Sequence, residues 1–202
     1  AKSYTPTRTL TAEHLAIEGE DCGSPGFSVS ETSRSVTESG LVQTFTVVLT
    51  GAPSSNVVID VSSSDTGEAT LSASSLTFTT SNWNSAQTIT VTGVNDDLDD
   101  GNQTSTVTLS VNDGSSDDNF DSLADQTVSV TTTDDDTAGF TLSGTTAAVS
   151  ETGTSQTFTV VLDSQPTGTV VFALSSADTG EATVSPATLT FTTSNWNSAQ
   201  TV

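Results

Sequence analysis

The stretch LTFTTSNWNSAQT at residues 76–88 returns letter for letter at 189–201. A second stretch, DTGEAT, occupies 65–70 and 178–183, and both pairs are separated by 113 residues. Sliding the chain by that offset aligns 26–89 with 139–202 without a gap, and 39 of the 64 aligned positions are identical. One long, constant offset signals tandem copies of a whole domain rather than a solenoid of small units. The chain therefore divides into an arm or linker at 1–25, a first repeat at 26–138 and an incomplete second repeat at 139–202. A half sandwich leaves an open apolar face and unpaired edges. The chain is thus expected to be part of a longer protein, or to have its missing strands supplied by a neighbouring chain.

Charge narrows the range of partners. The formal net charge is −22, and the basic residues are Lys2, Arg8 and Arg34 alone. Such a surface repels nucleic acid and anionic lipid, so both are set aside as partners. No apolar run approaches the length of a membrane-spanning helix, and no signal peptide is visible. Cys22 is the single cysteine. It has no intrachain partner, which leaves an inert thiol, an intermolecular bridge or a lipid anchor. His14 is the single histidine, which argues against a His-based triad or zinc site.

Period-two alternation predicts seven strands in the first repeat. VQTFTVVLT (42–50) points Phe45, Val47 and Leu49 one way and Thr44, Thr46 and Val48 the other. NVVIDVSS (56–63), SLTFTT (75–80), QTITVTG (87–93), TSTVTLSVN (104–112) and QTVSVTTT (126–133) alternate in the same manner. With a first strand over Phe27–Val36, these are strands A to G of an all-β fold. The expected architecture is a pair of tandem seven-stranded antiparallel immunoglobulin-like, Greek-key sandwiches, the second truncated.

That topology sends particular loops to one pole. If consecutive strands run antiparallel, the A–B, C–D and E–F loops share an end with the exit of strand G. Glu38 lies in the first, Asp65 and Glu68 in the second, and Asp96, Asp97, Asp99 and Asp100 in the third, while Asp134, Asp135 and Asp136 close strand G. Like charges so crowded are costly unless a cation lies among them. An all-oxygen donor set from several flexible loops suits Ca²⁺, which takes six to eight ligands, better than the tighter octahedron of Mg²⁺. The competing reading is a solvated acidic surface.

Three segments carry a family resemblance: VTESG (36–40), GVNDDLDDGNQ (93–103) and TTTDDDTAGF (132–140). They resemble the Calx-beta repeat, a module of sodium–calcium exchangers and of long arrays in bacterial surface proteins, and LTFTTSNWNSAQT is similar to the array versions. The resemblance spans 26–138 and the shortened copy at 139–202, not 1–25. It implies that Glu38, Asp96, Asp100, Asp134, Asp135 and Asp136 bind Ca²⁺; the convergence of loops adds Asp97, with Asp65, Glu68 and Asp99, and Glu151 as the second-copy equivalent of Glu38, as further candidates. Two departures point to fewer ions or weaker sites. Asn95 stands where the family often has an aspartate, and ATLSASSLTF lacks the acid that the family carries after strand C.

The remaining features sort quickly. Thr137 and Ala138 alone separate the Asp triplet from Gly139, which leaves little slack between repeats. Calcium at this pole is expected to lock the joint into a stiff rod. Trp83 and Trp196 are read as caps on the sandwich end rather than sugar platforms. The F–G loop, with Asp113, Asp117, Asp118, Asp121 and Asp125, is read as solvated, with a second ion as the alternative. Asn102-Gln103-Thr104 is a sequon of little weight in so Thr-rich a chain. No catalytic constellation is present, so no enzyme activity is expected. Residues 1–25 are either a linker or an arm that docks on an identical subunit as an added strand. The reading is an extracellular or surface-attached bacterial protein serving as a calcium-stiffened stalk, adhesin or filament subunit, with an unspecified adhesion ligand. The rivals are a calcium-sensing module and accessory repeats of a larger secreted enzyme.

Overall fold

A computed structural model describes residues 23–202. The expectations attached to residues 1–22, including the docking arm, Cys22 and His14, lie outside the described residues. The first repeat is a two-sheet sandwich. One sheet orders β1 (Phe27–Val29), β3 (Val42–Leu49), β7 (Gln87–Gly93) and β5 (Ala69–Leu71) as β1-β3-β7-β5. The other orders β2 (Ser33–Thr37), β9 (Gln126–Thr133), β8 (Gln103–Val111), β4 (Val57–Ser63) and β6 (Ser75–Phe78) as β2-β9-β8-β4-β6. The alternation is what builds the core. Phe45, Val47 and Leu49 of β3 are buried, as are Val57, Ile59 and Val61 of β4 and Val107 and Leu109 of β8. Each β-branched or aromatic side chain on an inner face leaves water at a gain of about 1.5–3 kcal/mol.

The first strand departs from expectation. It is not one strand over Phe27–Val36 but two, β1 and β2, which join opposite sheets. The chain crosses between sheets at Ser30–Thr32, so β1 pairs antiparallel with β3 while β2 pairs parallel with β9. Alternation within β1 and β2 looks the same whichever sheet receives them, so periodicity alone does not reveal the switch. The short strand β5 was also not foreseen. It is held by pairing with the end of β7, Ala69 opposite Gly93.

The second repeat keeps the register of the first. Phe140 pairs with Leu162 as Phe27 does with Leu49, and Val170 pairs with Phe191 as Val57 does with Phe78. Its strands are β10 (Phe140–Leu142), β11 (Thr159–Leu162), β12 (Val170–Ala173), β13 (Thr188–Phe191) and β14 (Gln200–Thr201). They match β1, β3, β4, β6 and the start of β7. The counterparts of β2 and β5 are not strands, although DTGEAT is identical in both copies. Their ladder partners in the first repeat, β9 and Val91–Gly93, have no counterpart within the 202 residues. Val149 is 48% exposed where its equivalent Val36 is 0% exposed.

The duplicated turn has a structural reason. Asn82 Oδ1 accepts from Thr79 N–H at 2.6 Å, and Gln87 Nε2 donates to Thr77 O at 2.8 Å. Asn195 and Gln200 repeat both bonds on Thr192 and Thr190. Trp83 and Trp196 each pack against their own core, and their carbonyls accept from Leu49 and Leu162 N–H at 3.2 Å. Both act as caps, as read from the sequence.

Candidate functional site: an acidic pole between the repeats

The parallel β2–β9 pair builds the site. Both strands run to the same pole with Thr37 opposite Thr133, so Glu38 and Asp134 emerge side by side. Glu38 N–H donates to Thr133 O at 3.1 Å, continuing the ladder one residue past the strands. Gly93 lets β7 approach this point, since a Cβ there would strike the Thr37 carbonyl. The loop after β7 then carries Asp96 across. Glu38, Asp96 and Asp136 each place a carboxylate oxygen within 4.8 Å of the others. They come from three separate segments of chain.

Glu38 is the unusual member. It is 3% exposed, and its Oε2 is buried with no hydrogen-bond partner. Burial raises its pKa to about 7; the Asp135 amide pulls the other way, and the charges of Asp134, Asp96 and Glu68 add to the rise. Glu68 shares this condition: its Oε2 is also buried and unpartnered, and burial, then Asp100, Asp65, Asp96 and Asp134, raise its pKa. Asp136 is raised by burial and by Asp134, Asp135, Asp97 and Asp96. Arg34 is paired with Glu31 at 3.5 Å instead, and its Nε donates to Thr44 O.

The other acids have distinct positions. Asp134 is committed to the backbone: its Oδ2 accepts from Gly101 N–H at 2.7 Å and its Oδ1 from Asp136 N–H at 2.8 Å. Gly101 has φ +74°, a left-handed conformation that glycine adopts without strain. Asp96 Oδ1 accepts from Leu98 N–H at 2.8 Å, and Asp65 Oδ1 accepts from Gly67 N–H at 2.8 Å. Asp97, Asp99, Asp100 and Asp135 are exposed at the rim. Asp99 faces the joint, where its Oδ2 accepts from Ala138 N–H at 2.7 Å. Asp97 O accepts from Gln165 N–H of the second repeat at 2.6 Å. Glu151 does not join the cluster; it lies exposed in a turn of the second repeat, where β2 has no counterpart.

Some contributors escaped the sequence reading. Thr132, fully buried, donates from Oγ1 to Glu68 O at 3.1 Å, and Val94 N–H donates to the same carbonyl at 2.9 Å. Together they strap the loop before β5 onto the pole. Only the meeting of strands distant in sequence identifies Thr132 and Gly93. At the opposite pole, Asp117 is not solvated but 3% exposed. It accepts from Ser54 N–H, Ser54 Oγ, Ser55 N–H, Asn119 N–H and Asn119 Nδ2.

No protein-family model matches the chain, and no curated protein matches it in sequence. Solved structures do resemble it. CBD12 from CALX1.2 is 19% identical, with 72% of this chain and 59% of that one covered at a TM-score of 0.42. The apo-form Calx CBD1 domain is 17% identical, with 54% and 96% covered at 0.39. The ASH/PapD-like domain 7 of human CEP192 is 8% identical, with 67% and 99% covered at 0.43. The immunoglobulin-like β-sandwich class rests on the two-sheet topology of the first repeat itself. Among the described residues no helix is long and apolar enough to cross a membrane.

Proposed function

We propose that this chain is a calcium-stiffened structural repeat of an extracellular or cell-surface stalk, adhesin or filament, and that it carries no enzymatic activity. The observation that carries the reading is Glu38, a buried carboxylate with an unpartnered oxygen placed against Asp96 and Asp136. A buried charge without a partner is costly, and a bound cation removes that cost. The donor set fits calcium, being oxygen throughout and drawn from loops rather than from a rigid cage. Glu38, Asp96 and Asp136 would hold the ion, with Glu68 beside them. Asp97, Asp100, Asp134 and Asp135 supply surrounding negative charge, and Asp134 also fixes the loop backbone.

The mechanical role rests on the E–F loop, which serves both sides. Its Asp96 belongs to the acidic cluster, while Asp97 and Asp99 bond to the second repeat and to the linker. An ion that fixes this loop therefore fixes the joint. Neighbouring repeats are the proposed partners, and identical subunits become partners if the chain assembles into filaments. The test is thermal unfolding of the full chain with millimolar Ca²⁺ against Mg²⁺ at equal ionic strength. A site filled to a hundred times its dissociation constant stabilises by about 2.7 kcal/mol. A Ca²⁺-specific rise that Asp136→Asn abolishes supports the reading; equal responses to both ions reduce the pole to a screened surface.

A further inference from the structure

The outer edges of the first sandwich carry a recurring contact. β6 is the last strand of its sheet. Val61 N–H donates to Ser74 O, so in the alternating antiparallel ladder Ile59 and Leu76 exchange bonds, while Thr77, opposite Val58, turns its N–H and C=O outward. Outward backbone groups of this kind are a template for another strand. Here the Thr77 carbonyl accepts from Gln87 Nε2 at 2.8 Å, and the next outward donor, Thr79 N–H, is taken by Asn82 Oδ1 at 2.6 Å. Gln87 opens β7, a strand of the opposite sheet.

The β1–β2 side of the sandwich is treated in the same way. β1 ends its sheet, and the bonds from Thr50 N–H to Gly26 O and from Ser30 N–H to Thr46 O leave the Phe27 carbonyl facing outward. Gln126 Nε2, at the start of β9, donates to it. Thr44 lies beyond Val47, the last residue of β3 that β1 pairs with, and its carbonyl points the same way as that of Thr46. Arg34 Nε of β2 donates to it at 2.7 Å. Both donors again cross from the opposite sheet. The second repeat reproduces the β6 contact, with Gln200 Nε2 on Thr190 O at 2.7 Å.

We propose that Arg34, Gln87 and Gln126 seal the sheet edges of this repeat against strand addition by a second copy of the chain. Edge strands are commonly guarded by charge. β1 reads FSV and β6 reads SLTF, so neither carries a charged residue although the chain has a net charge of −22. The side-chain caps take the place of that charge. A like repeat is the strand donor to be excluded, because 39 of 64 aligned positions are identical between neighbours and mispairing between like units is the characteristic failure of repeat chains. The seal works independently of any ion at the acidic pole.

The experiment compares the full chain with an Arg34→Ala, Gln87→Ala, Gln126→Ala triple variant by sedimentation velocity and by hydrogen exchange at rising protein concentration. The variant is expected to self-associate roughly tenfold more tightly than the parent, since each freed carbonyl can take a strand hydrogen bond. Exchange of the outward Thr77 N–H should slow as concentration rises, which a merely structural role of the three side chains does not produce. Gln87→Ala alone gives the same reading at Thr77 should the triple variant fail to fold. Gln87→Lys, which restores a donor, should behave as the parent. Association with protection at Thr77, reversed by the lysine, supports the seal. Unchanged association, or association that leaves Thr77 exchange as fast as in the parent, overturns it.

Discussion

At the residue scale the pole is dominated by one buried carboxyl. In the metal-free protein Glu38 holds its proton up to about pH 7, while in the unfolded chain it releases it near 4.5. The native state thus binds more protons between those values, and its contribution to stability is full below about 4.5 and declines as pH rises toward 7. Glu38→Gln should remove this decline. In the presence of a chelator the variant is expected to match or exceed the parent at neutral pH, with the difference vanishing near pH 4.5. The same variant should lose its thermal response to Ca²⁺. Denaturant melts across pH, with and without calcium, check both parts. Gly93 acts through space rather than charge. Gly93→Ala drives a methyl group into the Thr37 carbonyl beside Glu38. It should cost about 1–3 kcal/mol in urea unfolding, a typical overpacking penalty, and should also blunt the calcium response.

At the element scale the loops are held by side chains that replace missing ladder bonds. The loop between β8 and β9 depends on Asp117. The Ser54 hydroxyl first, then the amides of Asn119, Ser54 and Ser55, hold its carboxyl well below the usual carboxylate range. Its stabilisation is therefore full above about pH 3.8 and is lost on acidification below it. Asp117→Ala leaves those amides without their acceptor and should lower the melting midpoint at neutral pH by roughly 10 °C. Calorimetry at pH 7 and again in acid checks the size and the pH trend.

At the scale of the whole molecule the joint is short and bonded from both sides. Asp99 accepts from the linker amide of Ala138, and Asp97 accepts from Gln165. Asp99 is thus separated in role from Asp96, although both are aspartates of one loop. Asp99→Ala should keep the Ca²⁺-induced rise in melting temperature while broadening the distribution of end-to-end distances in small-angle scattering. Asp96→Ala should lose the rise and broaden the distribution together. If Asp99→Ala also abolishes the rise, Asp99 is a ligand rather than a clamp on the linker.

The sequence by itself determined the repeat, its 113-residue offset, the inward faces of the strands and the pole to which the acids go. Those follow from period two and from antiparallel connection, which are local rules. Tertiary structure alone decided that the first strand divides between two sheets and that β2 meets β9 in parallel, because a strand does not encode which distant edge receives it. It also decided which of the ten candidate acids of the first repeat are buried. Glu38 is buried and Glu68 half-buried, whereas Asp97 and Asp100 are exposed, a difference set by where the assembled strands place each carboxyl and not by its own chemistry. Burial is a property of the assembled sheets, so the electrostatic character of the pole appears only once they close.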